Sequence, residues 1–373
     1  MDKHLNIIAL NIPYPANYGG VIDIFYKLRA LYTCGVKIHL HCFEYGRAHT
    51  TELNSMCEEV FYYKRNTGLA ANFSLLPYNV NSRRSNLLLE NVLTNNYPIL
   101  FEGLHSCYLM AEPVLANRKK IFRECNIEHH YYKHLAKAEN NLIKKAFFYI
   151  EMLKFKAYQH TLEHADLIIA VSKTDTAYLR KQFPGKRVEF IPCFHKNEKI
   201  NILPGQSDFL LYHGNLSVPE NERAALYLIE NVFCRIEYPC VIAGLNPTDR
   251  LIQTATKYTN IRMEASPSED RMEQLVRDAQ VHVLVTFQDT GLKLKLLNTL
   301  YAGRHVVANH MMLAGSGLDS LCRIAEDPDD LLVACKECME LPFHETSIAE
   351  REALLIPGFS NRYQAQKLND MIQ

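Results

Sequence analysis

Short apolar runs alternate along the chain with longer stretches whose apolar residues recur at helical spacing. Residues 5–10 are compact and apolar, residues 11–20 (NIPYPANYGG) are polar and rich in Pro and Gly, residues 21–32 have a helical pattern, and residues 36–43 are apolar again. Strand, loop, helix and strand in that order predict the opening unit of a parallel α/β sheet. The alternation continues with strands at 60–64, 98–101, 120–123, 166–171 and 188–192, and helices at 85–95, 104–115 and 131–163, the last broken near Asn140 and Asn141. Pro204, Gly205, Gln206 and Ser207 read as a linker. A second series follows, with strands at 209–212, 240–243, 261–264, 281–285 and 306–308, and helices at 220–233, 248–256, 270–279, 327–339 and 347–355. A last amphipathic helix, 359–371, comes after Pro357 and Gly358.

The pattern predicts an α/β protein with two Rossmann-like parallel-sheet domains, 1–204 and 205–356, facing each other across a cleft. Ligands of such sheets bind outside the carboxyl ends of the strands, which makes the cleft the expected site. Residues 286–309 (TFQDTGLKLKLLNTLYAGRHVVAN) hold the most suggestive such end. Leu292, Leu296, Leu297, Leu300 and Tyr301 define a helix, with Thr290 a candidate N-cap and Gly303 a candidate stop. Lys293 and Lys295 fall in its first turns, and Asn298 lies one turn beyond Lys295 on the same face. A loop, a helix N-terminus and two lysines make a candidate anion site.

Composition narrows the classes. Two domains suit 373 residues, and 48% hydrophobic residues is a globular share. Lys+Arg and Asp+Glu are both 41, so there is no global drive toward nucleic acid or an acidic surface. The eleven cysteines are scattered, several within apolar runs (Cys42, Cys193, Cys240), which points to a reducing, cytoplasmic compartment. No signal-peptide pattern and no bilayer-length apolar run is evident, so any membrane contact is expected to be peripheral and through the N-terminal domain. The basic pairs there, Arg83-Arg84, Arg118-Lys119-Lys120 and Lys144-Lys145, suit either anionic partners or solvent.

Further candidates stand at other strand ends. Asn17, Gly19 and Gly20 of NYGG open the first helix, either as an ordinary βα turn or as an anion cradle. FEGLH (101–105) places Glu102 and His105 at a strand exit, where a histidine can polarise a ligand. RECNIEHHYY (123–132) brings Asn126 and Glu128 to another exit, as a hydrogen-bonded loop or an acceptor loop. YHGNLSVPENERAAL (212–226) repeats the first-strand logic with Gly214 and Asn215, and Arg223 follows in the next helix. The Cys335–Cys338 CxxC falls inside a helix without a second pair, and Asp327-Pro328-Asp329-Asp330 reads as a helix cap; neither suggests a metal. GxSxG, Walker A and HExxH motifs are missing.

Taken together these motifs resemble the GT-B glycosyltransferases, specifically the retaining group called family 4 or group 1, over nearly the whole chain. PYPANYGG is similar to the family's glycine-rich first loop and FEGLH to its strand-end histidine. R-x-x-N-I-E (123–128), ADLIIAVSKTD (165–175) and HGNLSVPEN (213–221) resemble further segments, and GLKLKLLNTLYAGRHVVAN resembles the signature G-x-K-x-K-x-x-E-x-x-x-x-G-x-x-V-V. The resemblance implies that helix 357–373 crosses back onto the first domain. It also implies transfer of a sugar from a nucleotide-sugar donor to a glycan or lipid-linked acceptor, with retained configuration, no metal and no cofactor. His105 and Lys295 would be catalytic. Gly19, Gly20, Gly214, Asn215, Arg223, Ser266, Thr290, Gly291, Lys293 and Asn298 would line the donor, and Asn17, Glu102, Asn126 and Glu128 the acceptor side. Thr290 and Asn298 stand where the family keeps two glutamates, and Cys125 where it keeps a histidine. Those departures leave room for a sugar-nucleotide-binding protein without transferase activity, or for an epimerase of the same shape.

Overall fold

The computed structural model describes residues 3–68, 74–288 and 293–372. Its first compact unit runs to His195 and takes up the chain again at Asn361. The strands are β1 (Lys3–Ala9), β2 (Val36–Glu44), β3 (Glu59–Lys64), β4 (Ile99–Glu102), β5 (Lys120–Arg123), β6 (Leu167–Ala170) and β7 (Arg187–Phe190). They form one parallel sheet in the order β3-β2-β1-β4-β5-β6-β7. Its helices are α1 (Gly19–Thr33), α2 (Tyr78–Asn81), α3 (Asn86–Leu93), α4 (Glu128–Ala138), α5 (Leu142–Tyr158) and α6 (Lys173–Gln182). The second unit spans Lys196 to Ser360. It contains β8 (Leu210–Asn215), α7 (Pro219–Asn231), β9 (Cys240–Leu245), α8 (Asp249–Ala255), β10 (Ile261–Ala265), α9 (Glu269–Asp278) and β11 (Val281–Leu284). It continues with α10 (Leu294–Ala302), β12 (His305–Ala308), α11 (His310–Leu313), β13 (Arg323–Ile324), α12 (Pro328–Glu340) and α13 (Glu345–Phe359). The sheet order is β10-β9-β8-β11-β12-β13, again parallel. α14 (Asn361–Met371) returns to the first unit.

The inner strands β4, β6 and β11 are buried along their whole length, whereas the edge strands β3, β7 and β10 keep exposed residues. Along β1, Leu5 and Ile7 join a core with Leu28 and Leu31 of α1, while Ile8 turns to the opposite core with Phe101 and Phe155. Ala365 and Leu368 of α14 sit in the α1 core, and the Lys367 ammonium donates to the Phe190 carbonyl at 2.8 Å. In the second unit Tyr212, Ile242 and Val283 pack under Leu228 of α7 and Leu331 and Cys335 of α12.

The structure departs from the pattern-based expectation at identifiable places. The chain passes between units after His195 and Ser360 rather than at 204/205 and 356/357. The stretch beyond His195 is tied to the second unit, Asn201 N–H by the Tyr301 carbonyl and Gly205 by a bridge to Phe343. Residues 104–115 form two 3-10 turns instead of a helix, because Ser106 and Cys107 bond back to the Gly103 carbonyl and Pro113 restarts the chain. Helix α6 is not among the expected elements, although Ser172 caps it by accepting from Asp175 N–H at 3.0 Å. The expected break at Asn140-Asn141 is present, with Asn141 capping α5. Helix α13 continues through Pro357 and Gly358, and the turn to α14 comes at Ser360.

Candidate functional site

In each sheet the strand order reverses beside the first strand of the series, between β1 and β4 and between β8 and β11. Open parallel sheets bind ligands at the carboxyl ends of the strands at such a switch point, and each unit carries its own set of polar residues there.

In the first unit, β1 ends at Ala9 and the loop to α1 brings Asn17, Gly19 and Gly20 to a helix N-terminus. Tyr18 is the N-cap without a side-chain cap bond, and its hydroxyl accepts from Asn11 at 3.0 Å. The Asn17 amide oxygen accepts from Arg47, whose guanidinium also holds the Pro15 carbonyl and lies 5.3 Å from the Tyr18 ring centre. These residues border a groove of about 650 Å³ with Tyr14, Tyr45 and His49.

The next strand ends correct one assignment. Glu102 is fully buried, with its carboxylate on the Lys27 ammonium at 2.8 and 2.9 Å. Lys27 also reaches Asp23 at 3.1 Å, and Asp23 takes a two-pronged bond from Arg123 at 2.9 Å each. Burial opposes the Asp23 charge, but Arg123 and Lys27 prevail and hold its carboxyl below the usual range. This four-residue network ties α1, β4 and β5 together, so Glu102 has no surface to offer an acceptor.

His105 and Glu128 do meet. Nε2 of His105 is 3.5 Å from the Glu128 carboxylate, and the ring stands edge-on to Phe155 at 5.4 Å. Burial lowers the His105 imidazole to about 3, with Arg83 and Arg65 acting in the same sense. Burial raises Glu128 to about 8 against the opposing pull of Arg83. At neutral pH the contact therefore joins a neutral imidazole to a protonated carboxyl and is not an ion pair. The His105 Nδ1 is buried without a hydrogen-bond partner among the described residues. Asn126 is half-buried in the loop that leads from β5 to α4.

Thr290 and Gly291 lie outside the described residues. Helix α10 begins at Leu294 with Lys293 in the N-cap position, later than the Thr290 cap expected from sequence. It stops at Gly303 as expected, but the glycine is required by packing: a Cβ there would lie 2.2 Å from His282 Nε2. The Lys295 ammonium donates to the Asn221 amide at 3.1 Å and sits 5.2 Å from the Tyr212 ring centre. Burial lowers it to about 8, with Glu220 opposing and Lys293 reinforcing the effect. Among the described residues no carboxylate lies within ion-pair distance of it. It is a desolvated cation, mostly charged at neutral pH, at the N-terminal end of α7 and the carboxyl end of β8.

Asn221, which is not among the sequence candidates, organises this corner. It donates to the Asn215 carbonyl at 3.0 Å while accepting from Lys295, and its side chain would press at 3.2 Å on any Cβ at Gly214. Asn215 closes its own loop by accepting from Ser217. Ser266 is exposed with φ +48°, its Oγ accepting from Asn246 N–H at 2.9 Å. The Arg223 guanidinium stacks 4.1 Å over Phe287, and Asn298 accepts from Asn197 at 2.8 Å. Glu220 receives the Thr286 hydroxyl, and Asn309 braces both backbone groups of Thr286. The run of polar residues after Pro219 is the one signal in the sequence that points to Asn221 and Glu220.

The structural class follows from these two switch-point sheets and from similarity to solved structures: the chain has the GT-B fold. Crystallised HepE of Anabaena, in complex with UDP and glucose, matches with TM-score 0.67 at 11% identity over 99% of both chains. TarM of S. aureus matches at 0.68 and 11% identity, over 100% of this chain and 99% of that one. Sucrose-phosphate synthase of Thermosynechococcus elongatus matches at 0.64 and 16% identity, over 99% and 96%. In sequence the chain is 26% identical over 351 residues to an uncharacterized 44.6 kDa protein in the cps region of Klebsiella pneumoniae, covering 88% of each. No protein-family model matches it.

Proposed function

We propose that this protein is a metal-independent retaining glycosyltransferase of the cytoplasm. It moves a sugar from a nucleotide-sugar donor to a hydroxyl of a glycan or lipid-linked acceptor, in polysaccharide biosynthesis. The observation that carries the reading is the half-buried Lys295 ammonium, held by an amide oxygen and a ring face at the switch point of the second sheet. A leaving diphosphate is the complementary charge, and a desolvated cation beside a helix N-terminus stabilises it more than water would. Lys293 at the start of α10 and the backbone of Gly214 and Asn215 supply further donors, and Ser266 and Arg223 border the nucleotide. On the first unit, His105 hydrogen-bonds the transferred sugar, and the protonated Glu128 holds the imidazole in place. Gly19 and Gly20 offer N–H groups at the α1 terminus, while Asn17 and Asn126 face the acceptor. The UDP and glucose bound to HepE and the cps location of the relative agree with this chemistry.

A second reading, a nucleotide-sugar-binding protein without transfer, is favoured by Asn298. It stands where the family keeps a glutamate and is occupied by Asn197. A screen of UDP-, GDP- and ADP-sugars by thermal shift, followed by a test for donor hydrolysis or transfer, separates the two. Turnover of any donor, lost in Lys295→Ala while the variant stays folded, supports the transferase. Stabilisation by a donor without turnover supports the binding protein, and wild-type turnover in Lys295→Ala sinks the assignment of Lys295.

A further inference from the structure

The α4–α5 hairpin of the first unit presents an apolar face that nothing in the described chain covers. Leu142, Ala146, Ile150, Leu153 and Ala157 recur on one stripe of α5, flanked by Ile143, and all six are exposed. The four large side chains among them are 52 to 83% exposed. The opposite stripe is the buried one: Glu151 and Phe155 face the core, with Phe148 and Met152 packed against it. So α5 is apolar on both sides, and its outward side spans about 25 Å at helical rise. A solvent-facing helix surface would normally be polar.

Charge around the stripe is one-sided. Lys133 and Lys137 of α4 and Lys156 of α5 are exposed. Two of the three acids of the hairpin are withdrawn, and the third, Glu139, is half-exposed at the turn between the helices. Glu128 and Glu151 are buried, Glu151 accepting from Tyr78 N–H and pairing with Lys154, and Glu139 accepts from Asn141 N–H. Phe147 and Tyr149, each partly exposed, border the stripe as interfacial aromatics do. The other basic pairs expected to meet an anionic partner are largely engaged in structure. Arg83 holds the Leu10 carbonyl, Arg118 the Val92, Asn95 and Tyr97 carbonyls, and Lys120 that of Met110. Among the described residues no helix is long and apolar enough to cross a membrane.

We propose that α5 lies in the interface of an anionic lipid bilayer, with Leu142, Ile143, Ile150 and Leu153 among the acyl chains and the lysines at the headgroups. A bilayer accounts for both halves of the pattern, since an apolar stripe with a basic border matches an acyl surface rimmed by anionic headgroups. This goes beyond the transferase reading and does not depend on it. The test is flotation of the full chain with vesicles of phosphatidylcholine, alone or mixed with phosphatidylglycerol, alongside light scattering of the free protein. The wild type is expected to float with the mixed vesicles and to be monomeric without them. The double variant Ile150→Glu/Leu153→Glu should lose at least tenfold in binding, with an unchanged circular dichroism spectrum because both sites are exposed. Lys156→Ala should lose about fivefold, on mixed vesicles only. A wild type that stays with the soluble fraction overturns the proposal, as does a double variant that floats undiminished. A dimer that Leu153→Glu dissociates also overturns it, by giving the face to a second copy.

Discussion

Replacing Glu128 by glutamine should change how stability depends on pH. The ordinary value for this carboxyl is 4.5, and burial raises it to about 8 in the folded chain. Between those two values the folded protein keeps a proton that the unfolded chain has released. The group is then a liability that grows with pH: it costs nothing below about 4.5, and stability falls until about pH 8, where the folded carboxyl also ionises. At about 1.4 kcal/mol per pH unit the full window amounts to about 5 kcal/mol. His105 has the opposite sign. Its imidazole is lowered from 6.5 to about 3, so its contribution is lost as pH falls through that range and is complete above it. The amide in Glu128→Gln keeps the shape and cannot ionise, so the variant should lack the Glu128 slope while the rest of the profile remains. Urea unfolding of both proteins from about pH 5 to about pH 9 measures the difference. The variant should gain on the wild type by several kcal/mol across the interval. Parallel profiles would refute the protonated Glu128, and with it the neutral contact to His105.

Three further outcomes are expected. Lys295→Met should hold or raise the melting temperature, since it removes a desolvated amine, while donor binding falls at least about tenfold; thermal shift with and without donor reads both. Gly244→Ala should unfold the second unit or destabilise it by more than about 3 kcal/mol, because its Cβ would lie 1.8 Å from the Gly214 oxygen, and calorimetry detects it. Asp23→Ala should cost about 3–5 kcal/mol in denaturant unfolding, because Arg123 loses its bidentate partner in a fully buried position.

Local pattern alone determined the succession of elements. Strands buried on both faces must be apolar throughout, and helices packed on one side must repeat at helical spacing, so β5 at 120–123 and α1 were readable from composition and period. The Asn141 break and the Asp327 cap were readable for the same reason, since each is a bond within a few residues. Missed elements such as α6 are short and polar outward, with little period to detect.

Only the folded chain decided what each polar residue does. Glu102 and Glu128 look alike in sequence, two acids at strand exits. Tertiary contact gives one a lysine and leaves the other beside a neutral histidine, and desolvation acts on both. Lys295 reads as one of two lysines in a helix turn, yet the Asn221 and Tyr212 that surround it lie more than seventy residues away in the chain. Likewise α5 reads as an apolar helix, and only packing shows which of its two apolar sides is left uncovered. Charge, burial and partnership are set by distances through space, and no spacing along the chain encodes them.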